Sequence, residues 1–339
     1  MPAPALPGWP SRMRFSVSIV QASATGGWRF RQAFAAGAAA GGSTRAAQAI
    51  WATIAALVAA VAILFPVLGL SLSLPDLARS LGLSLAALAC AFLYTVLRPD
   101  ERLARLFRAL PELVLITYFG GALSYALTAM GQPLWDGTFD AWDKAIGFDW
   151  KALLTFYAGY PAFYRLLAFA YYSMLPQMAV LVVALITVRA FRAADRFILG
   201  FAFAAVITMA ISAFVPALCA GYVYRDAVAE QHVLQLSWNS IQQVEALRSG
   251  VLRVISMAQA EGLVTFPSFH AATAMLLMFG FWHVPYLRWP GLALNMLMIA
   301  ATPIEGGHYL VDIFAGIAIA ILAHAAAARL LRPGQAKGG

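Results

Sequence analysis

Two histidines near the C-terminus have neighbours whose types and spacing could do chemistry. His270 lies in the segment Pro-Ser-Phe-His at 267–270, and His308 lies in Gly-Gly-His-Tyr-Leu-Val-Asp at 306–312. His308 and Asp312 are four positions apart, so on a helix their side chains share one face. A carboxylate one turn from an imidazole holds the ring and selects its tautomer, which leaves the second ring nitrogen free as a nucleophile. With His270 as a general acid, this arrangement predicts phosphoryl transfer through a phosphohistidine.

Each histidine also stands at the start of an apolar run, at 268–287 and at 308–331. Free N–H groups and the helix dipole favour an anion at such a helix N-terminus, and Pro267 suits the first turn of the first helix. The two segments therefore predict a phosphate site at the mouths of two helices. A phosphohistidine route needs no metal, and no carboxylate cluster of the two-metal type is visible. We therefore expect neither a metal nor a cofactor.

The composition indicates the environment of these helices. The 339 residues are 62% hydrophobic and only 11% charged, with a mean hydropathy of +0.76. Soluble domains carry about 25% charged residues, so the chain is predicted to be an integral membrane protein. The formal charge of +8 comes from short basic clusters between apolar runs, which argues against nucleic acid as a partner. The two cysteines are too few for a disulfide framework and lack metal-ligand spacing.

The apolar runs predict an all-α, polytopic helical bundle. A spanning helix needs about 20 apolar residues, and eight candidates lie at roughly 48–70, 80–97, 110–130, 163–188, 197–220, 268–287, 290–305 and 308–331. We expect one membrane domain over 48–333. Residues 1–47 contain five arginines and no acidic residue, and they are predicted to be a disordered, basic, cytoplasmic tail.

The distribution of lysine and arginine predicts the topology. Of the 23 basic residues, 16 lie in the two termini and in alternate connections, and the other connections hold seven. The positive-inside rule then places both termini in the cytoplasm and both histidines on the outer side. We expect a bacterial inner membrane with the site facing the periplasm. Two outer segments are long: 131–162 is predicted to lie at headgroup level, and 221–266 is predicted to form a small cap over the site.

These motifs resemble a known family. Pro-Ser-x-His followed by His-x-x-x-Asp is similar to the second and third motifs of the type 2 phosphatidic acid phosphatase superfamily, which includes lipid phosphatases and lipid phosphotransferases. Five segments resemble more closely the superfamily's inositol-phosphorylceramide-synthase branch, which transfers inositol phosphate. They are FPSFHAA at 266–272, GGHY at 306–309, AWD at 141–143, GFDW at 147–150 and YYSMLPQ at 171–177. The resemblance covers about 110–330.

The resemblance implies a role for each motif residue. His308 would be the nucleophile, Asp312 its orienting partner, and His270 the acid that protonates the leaving oxygen. Ser268 and the backbone N–H groups around Gly307 would donate to phosphate oxygens.

One part of the family pattern is missing. The first motif, Lys-x6-Arg-Pro, has no counterpart, because neither Arg-Pro pair has a lysine at that spacing. A transferring phosphate needs positive charge around its oxygens. Arg248 and Arg253, in the outer segment before His270, are the first candidates, and Arg225 is the third. Glu305 fits either the mouth of the site or a helix cap.

The sequence thus predicts a metal-independent lipid phosphate phosphatase or phosphotransferase. Its partners would be a phosphorylated lipid in the membrane and, for transfer, an alcohol or polyol acceptor. The motifs leave hydrolysis and transfer open, because that choice depends on whether the pocket excludes water. A non-catalytic transporter or lipid-binding scaffold that retains a phosphate site is the alternative. A transporter usually buries ionisable residues near mid-bilayer, whereas here they concentrate at helix ends.

Overall fold

The computed structural model describes residues 43–230, 235–260 and 262–332, and most of them are helical. The helices are α1 (Ser43–Val67), α2 (Leu74–Phe92), α3 (Glu101–Ala129), α4 (Asp136–Ala145), α5 (Trp150–Gly159), α6 (Pro161–Tyr172), α7 (Met174–Thr187), α8 (Phe191–Ser212), α9 (Ala220–Val223), α10 (Arg225–Glu230), α11 (Gln235–Arg248), α12 (Phe269–Phe281), α13 (Arg288–Glu305) and α14 (Leu310–Leu330). A π-helical turn, Leu93–Leu97, extends α2. Strands β1 (Ser71–Leu72) and β2 (Val254–Ile255) pair in parallel.

Five of the described helices are long and apolar enough to cross a membrane: α1, α2 with its extension, α3, α8 and α14. The count is six if α6 and α7, which bend by 53° at Ser173, form one broken span. Helix α12 is apolar but has only 13 residues, and α13 carries a charged residue at each end. The prediction of a helical membrane protein is confirmed, while the count of eight spans stays a prediction. Most of the predicted tail, 1–42, lies outside the described residues.

Helices α3 and α8 begin earlier than the hydropathy pattern predicts, at Glu101 and Phe191 instead of 110 and 197. Ion pairs between the two helices explain the difference. Arg108 Nη2 lies 3.0 Å from Asp195 Oδ1, and Arg105 Nη1 lies 3.5 Å from Asp195 Oδ2. Since the charges neutralise one another between packed helices, these turns stay helical instead of forming a basic loop.

Small residues bring the central helices close together. Helix α8 packs against α1, α3, α12 and α14, and a Cβ at its Gly200 would lie 3.3 Å from Leu276 of α12. A Cβ at Gly280 of α12 would clash with Leu181 of α7, and one at Gly291 of α13 would clash with Phe281. Close approach at small residues is the usual means of helix association in membranes. The N-terminal ends of α12 and α14 lie side by side, where Gly316 of α14 meets the backbone of Ser268.

The two outer segments form short helices that pack over these ends. Trp150 Nε1 of α5 donates to the carbonyl of Pro303 at 2.7 Å, and its ring stacks on Tyr224. Phe139 of α4 contacts the rings of both Phe266 and Tyr309. These contacts form an aromatic layer that joins α4 and α5 to the segments before α12 and α14, and the cap over the site by 221–266 stays a prediction.

Candidate active site

The nucleophile candidate His308 and its carboxylate lie at the start of α14. Tyr309 is the N-cap residue and Asp312 occupies the third helical position, where its Oδ2 accepts the Tyr309 N–H at 2.9 Å. The same oxygen lies 3.2 Å from Nδ1 of His308. Asp312 is fully buried and His308 nearly so. A carboxylate at Nδ1 selects the tautomer with its proton there, so Nε2 carries the free electron pair.

His308 Nε2 faces the start of α12. The Ser268 hydroxyl lies 3.0 Å from this nitrogen and also caps α12 by accepting the N–H of Ala271. The backbone joins the two helices directly, because the Ser268 N–H donates to the Asp312 carbonyl at 3.0 Å. Gly316 permits this approach, since a Cβ there would overlap the Ser268 carbonyl oxygen. Ser268, His308 and Asp312 thus form one buried, linked row.

The second histidine, His270, is only partly buried and is held by α6. Its Nδ1 lies 3.2 Å from the hydroxyl of Tyr171, and the two rings stack with centroids 4.0 Å apart. A Cβ built on Gly306 would lie 2.8 Å from Nε2 of His308 and 2.9 Å from the Tyr171 hydroxyl. The nucleophilic nitrogen and the hydroxyl that holds His270 therefore converge on one point, where only a glycine fits.

His308 precedes α14 and lies outside the spanning helices. Burial lowers the pKa of its imidazole to about 4, because a charged ring is poorly solvated there. The ring is therefore neutral at neutral pH, which a nitrogen nucleophile requires.

The backbone around Gly307 is used within the protein. Gly307 has a φ of +62°, a conformation that suits glycine. Its N–H donates to the carbonyl of Ile304 at 3.3 Å, and its carbonyl accepts the N–H of Ala220 at 2.6 Å. The predicted donation from Gly307 to a phosphate would thus compete with a bond already made. Ser268, beside Nε2, lies where an incoming phosphoryl group would arrive.

The three candidate arginines lie in the outer segment with other partners. Arg248 donates to the carbonyls of Gln132 and Gly131 at 3.0 and 3.2 Å. Arg253 donates to the carbonyl of Leu68 at 2.8 Å, and Arg225 lies over an aromatic ring, that of the nearby Tyr222. Over 43–230, 235–260 and 262–332, none of the three makes a hydrogen bond or ion pair with the histidines, Ser268 or Asp312. The structure does not bring the predicted phosphate clamp to the nucleophile.

Two aspartates of α4 hold the start of α14, and neither was predicted as a site residue. Asp136 accepts the N–H groups of Leu218 and Cys219 and the hydroxyl of Tyr309, at 2.9 to 3.0 Å. Asp143 accepts the N–H of Leu310 at 3.1 Å. The pKa of both carboxyl groups is raised, because the effect of burial exceeds that of the hydrogen bonds, which lower the pKa. The alternating aromatics and carboxylates of 131–162 were the available signal, but they do not reveal the partners.

Tyr171 is the other contact that motif reasoning missed. It appears in the sequence only as part of the YYSMLPQ resemblance, whereas the structure puts its hydroxyl on His270. Across the described ranges, no three His, Cys, Asp or Glu side chains are grouped as ligands of one metal ion.

Comparison with protein families agrees with this geometry. A family model described as the PAP2 superfamily matches residues 138–326, which is more than half of the chain. The matched region contains His270, His308 and Asp312 together with α4 from residue 138 onward. No curated protein and no solved structure gives a significant match. The predicted superfamily is therefore confirmed, and the chain belongs to the PAP2 superfamily.

Proposed function

We propose that this protein is a membrane enzyme that takes the phosphate of a phosphorylated lipid onto His308 and passes it to water or to an alcohol. Membership of the PAP2 superfamily indicates phosphatase or phosphotransferase activity on phosphorylated substrates. The observation that carries the finer proposal is the linked row Ser268–His308–Asp312, with His270 at the same helix mouth.

The geometry supports a two-step reaction. In the first step Nε2 of His308 attacks phosphorus, the bond from phosphorus to the lipid oxygen breaks, and protonated His270 gives its proton to that oxygen. Asp312 stabilises the positive charge that develops on the His308 ring. In the second step water or an alcohol attacks phosphorus and gives a proton back to His270. The phosphorus–nitrogen bond then breaks and His308 is restored.

A phosphate group at His308 needs cationic side chains around its oxygens. We keep Arg248 as the first candidate, with Arg253 and Arg225 after it. Arg248 lines a small cavity together with Leu218, and the Leu218 carbonyl accepts the hydroxyl of Thr265, the residue whose backbone bonds the His308 ring. A rotation of the Arg248 side chain away from its two carbonyl partners would bring a bidentate donor toward the site.

An apolar cleft supports a lipid as the substrate. A cavity of about 470 Å³ lies between α2, α3 and α7, within the range of about 300–1,000 Å³ that small-molecule pockets occupy. Its walls include Leu106, Leu113, Val114, Met178, Ala179 and Val182. The hydroxyl of Tyr118, another wall residue, is buried without a hydrogen-bond partner. Leu175, another lining residue, lies in the first turn of α7, just beyond the bend that follows Tyr171. We propose that the cleft holds a hydrocarbon chain while the phosphate lies at His308.

The orientation belongs to the same proposal. With eight spans and both termini in the cytoplasm, His270 and His308 face the periplasm of a bacterial inner membrane, where the outer leaflet offers the lipid. A non-catalytic transporter or scaffold would use the same helix mouths without phosphoryl transfer. The resemblance to inositol phosphate transferases favours transfer over hydrolysis.

The test is turnover by the purified protein. It is incubated with a panel of labelled lipid phosphates, with and without glycerol, and free phosphate and glycerol phosphate are measured. We expect one or both products from the wild type in the presence of EDTA, and neither from His308→Ala or His270→Ala. His283→Ala, an exposed histidine at the other end of α12, is the matched control and should remain active. A fully active His308→Ala protein would exclude the phosphohistidine, and an inert wild type would favour the scaffold.

A further inference from the structure

A buried carboxylate next to the site has no counter-charge. Glu305 is the last residue of α13 and is 2% exposed. The hydroxyls of Tyr164 and Tyr172, both on α6, donate to its carboxylate, but Oε1 has no hydrogen-bond partner. Among the described residues no lysine, arginine or histidine pairs with it. Buried acceptors without partners are rare in proteins, and such atoms often mark a ligand or a catalytic role.

Two connections place Glu305 beside the reacting groups. The carbonyl of Thr302, in the last turn of α13, accepts the N–H groups of both Gly306 and His308, at 3.1 and 3.3 Å, so the chain folds His308 back onto the turn that carries Glu305. On α6, which packs against α13, the hydroxyls of two consecutive tyrosines have different partners. Tyr171 contacts His270, and Tyr172 donates to Glu305. The proton-carrying histidine and the carboxylate are therefore held by neighbouring residues.

The chemistry of Glu305 restricts what it can bind. Burial raises the pKa of the Glu305 carboxyl to about 7, so above that pH the group is ionised. In this form it accepts hydrogen bonds and donates none, and it repels the oxygens of a phosphate group. Its partner must therefore be a donor that is not anionic, and an O–H group meets both conditions. The two hydroxyls that reach the carboxylate belong to aromatic side chains, which combine an apolar body with a polar tip and so suit an organic molecule that has both C–H and O–H surface.

We propose that Glu305 binds a hydroxyl group of a polyol acceptor and so favours phosphoryl transfer over hydrolysis; this rests on the function proposed above. One hydroxyl oxygen of the polyol attacks the phosphorus of the phosphohistidine and gives its proton to His270. The phosphorus–nitrogen bond breaks, and its electron pair returns to Nε2 of His308. A neighbouring hydroxyl of the same polyol donates to Oε1 of Glu305 and orients the attack. The acceptor class is therefore an alcohol with adjacent hydroxyl groups.

The test measures what fraction of the phosphohistidine reacts with the alcohol and what fraction reacts with water. A labelled lipid phosphate is supplied with glycerol or with methanol, and the ratio of the new phosphate monoester (glycerol phosphate or methyl phosphate) to free phosphate is determined for each. A hydrogen bond to an ionised group is about twice as strong as a neutral one, so Glu305→Gln should lower the glycerol ratio by roughly tenfold. The methanol ratio and the rate of hydrolysis should change by less than about twofold. Glu245→Gln, an exposed glutamate on α11, is the control and should leave both ratios unchanged.

The outcomes separate this inference from the proposed function. A variant in which hydrolysis and both transfers fall together would make Glu305 a structural residue only. A glycerol ratio that rises would assign Glu305 to the attacking water. A wild type that forms neither product would remove the proposed function and this inference with it. If Glu305→Gln does not fold, Tyr172→Phe replaces it, because that half-exposed residue can lose its hydroxyl without opening the core. It should lower the glycerol ratio alone, by a smaller factor.

Discussion

Replacing Asp312 by asparagine separates the charge of this carboxylate from its hydrogen bonds. One oxygen, Oδ2, accepts both the Tyr309 N–H and the proton on His308 Nδ1, while Oδ1 is buried without a partner. An asparagine can therefore put its carbonyl oxygen at the Oδ2 position and keep both hydrogen bonds. Its NH₂ group then takes the place of Oδ1. The His308 tautomer should survive in this variant, and only the negative charge should be lost.

The expected loss follows from that difference. Hydrogen bonds to charged groups contribute about 1.5–3 kcal/mol, against about 0.5–1.5 kcal/mol for neutral pairs. The positive His308 ring of the transition state would thus lose about 1–1.5 kcal/mol, and a factor of ten corresponds to about 1.4 kcal/mol. We expect Asp312→Asn to lower kcat roughly tenfold. The buried NH₂ group should also lower the free energy of unfolding by about 1–3 kcal/mol, because it finds no acceptor.

Single-turnover release of phosphate from a lipid phosphate measures this loss, and Asp312→Ala is the comparison. The alanine variant removes both hydrogen bonds and should lose far more, on the order of 10³–10⁴, as expected when a catalytic imidazole loses its tautomer partner. If the asparagine variant is as slow as the alanine variant, its NH₂ faces Nδ1 and the shared-oxygen argument is wrong. Nitrogen chemical shifts of the His308 ring would then report the inverted tautomer.

Four further perturbations test other parts of the site. Tyr171→Phe keeps the stacked ring but removes the hydroxyl from the proton-carrying histidine, and steady-state kinetics should show kcat lowered by roughly tenfold, the effect of one such hydrogen bond, with KM unchanged. Gly316→Ala inserts a methyl group where α14 meets the start of α12, and thermal unfolding should show a loss of about 1–3 kcal/mol from overpacking together with a fall in activity. Ala179→Trp fills the apolar cleft and should raise KM for long-chain lipid phosphates but not for short-chain ones. Val180→Trp, next to it but not among the residues that line the cleft, should change neither. Because the pKa of His308 is lowered to about 4 and His270 reacts in its protonated form, the single-turnover rate should not fall as the pH drops through 6.5. It should decline only as the pH approaches 4, where the His308 ring becomes protonated.

The controls define what would contradict these expectations. Gly120→Ala, on α3 where an added Cβ meets no atom within 4 Å, should leave unfolding unchanged. If Gly316→Ala behaved the same way, the two helix starts would not be as close as the structure has them. Equal KM changes for long and short chains in Ala179→Trp would remove the cleft from lipid binding. An acid limb near pH 6.5 would mean that His308 is solvated.

Much of the site was predictable from short-range patterns. His308 and Asp312 share a face because the α-helix repeats every 3.6 residues, and this holds wherever the helix packs. Ser268 caps α12 for an equally local reason, since its hydroxyl reaches a backbone N–H three residues on. The membrane environment followed from composition alone, and the PAP2 superfamily followed from the two histidine motifs.

Other features depended on which distant groups meet. The early starts of α3 and α8 require Arg105 and Arg108 to reach Asp195, about ninety residues away in the chain. A hydropathy profile assigns such charged residues to loops because it does not include their partners. For the arginines of segment 221–266, the sequence supplies the charge but not the partners. Arg248 has the right charge and lies before His270 in the chain, yet its guanidinium is held by carbonyl groups, because loop conformation decides which acceptors it meets.

The partners of the second histidine and of Glu305 were decided only by tertiary structure. The sequence shows two tyrosines side by side, and their consecutive positions on α6 direct one hydroxyl to His270 and the other to Glu305. The two hydroxyls have these partners because α6 packs along α13 with one rotation about its own axis. The sequence by itself determined the reactive residues and their local order, since helical spacing and capping act over a few residues. Only the packing of helices determined which hydroxyls, carboxylates and cations surround them, since those contacts join segments that are far apart in the chain.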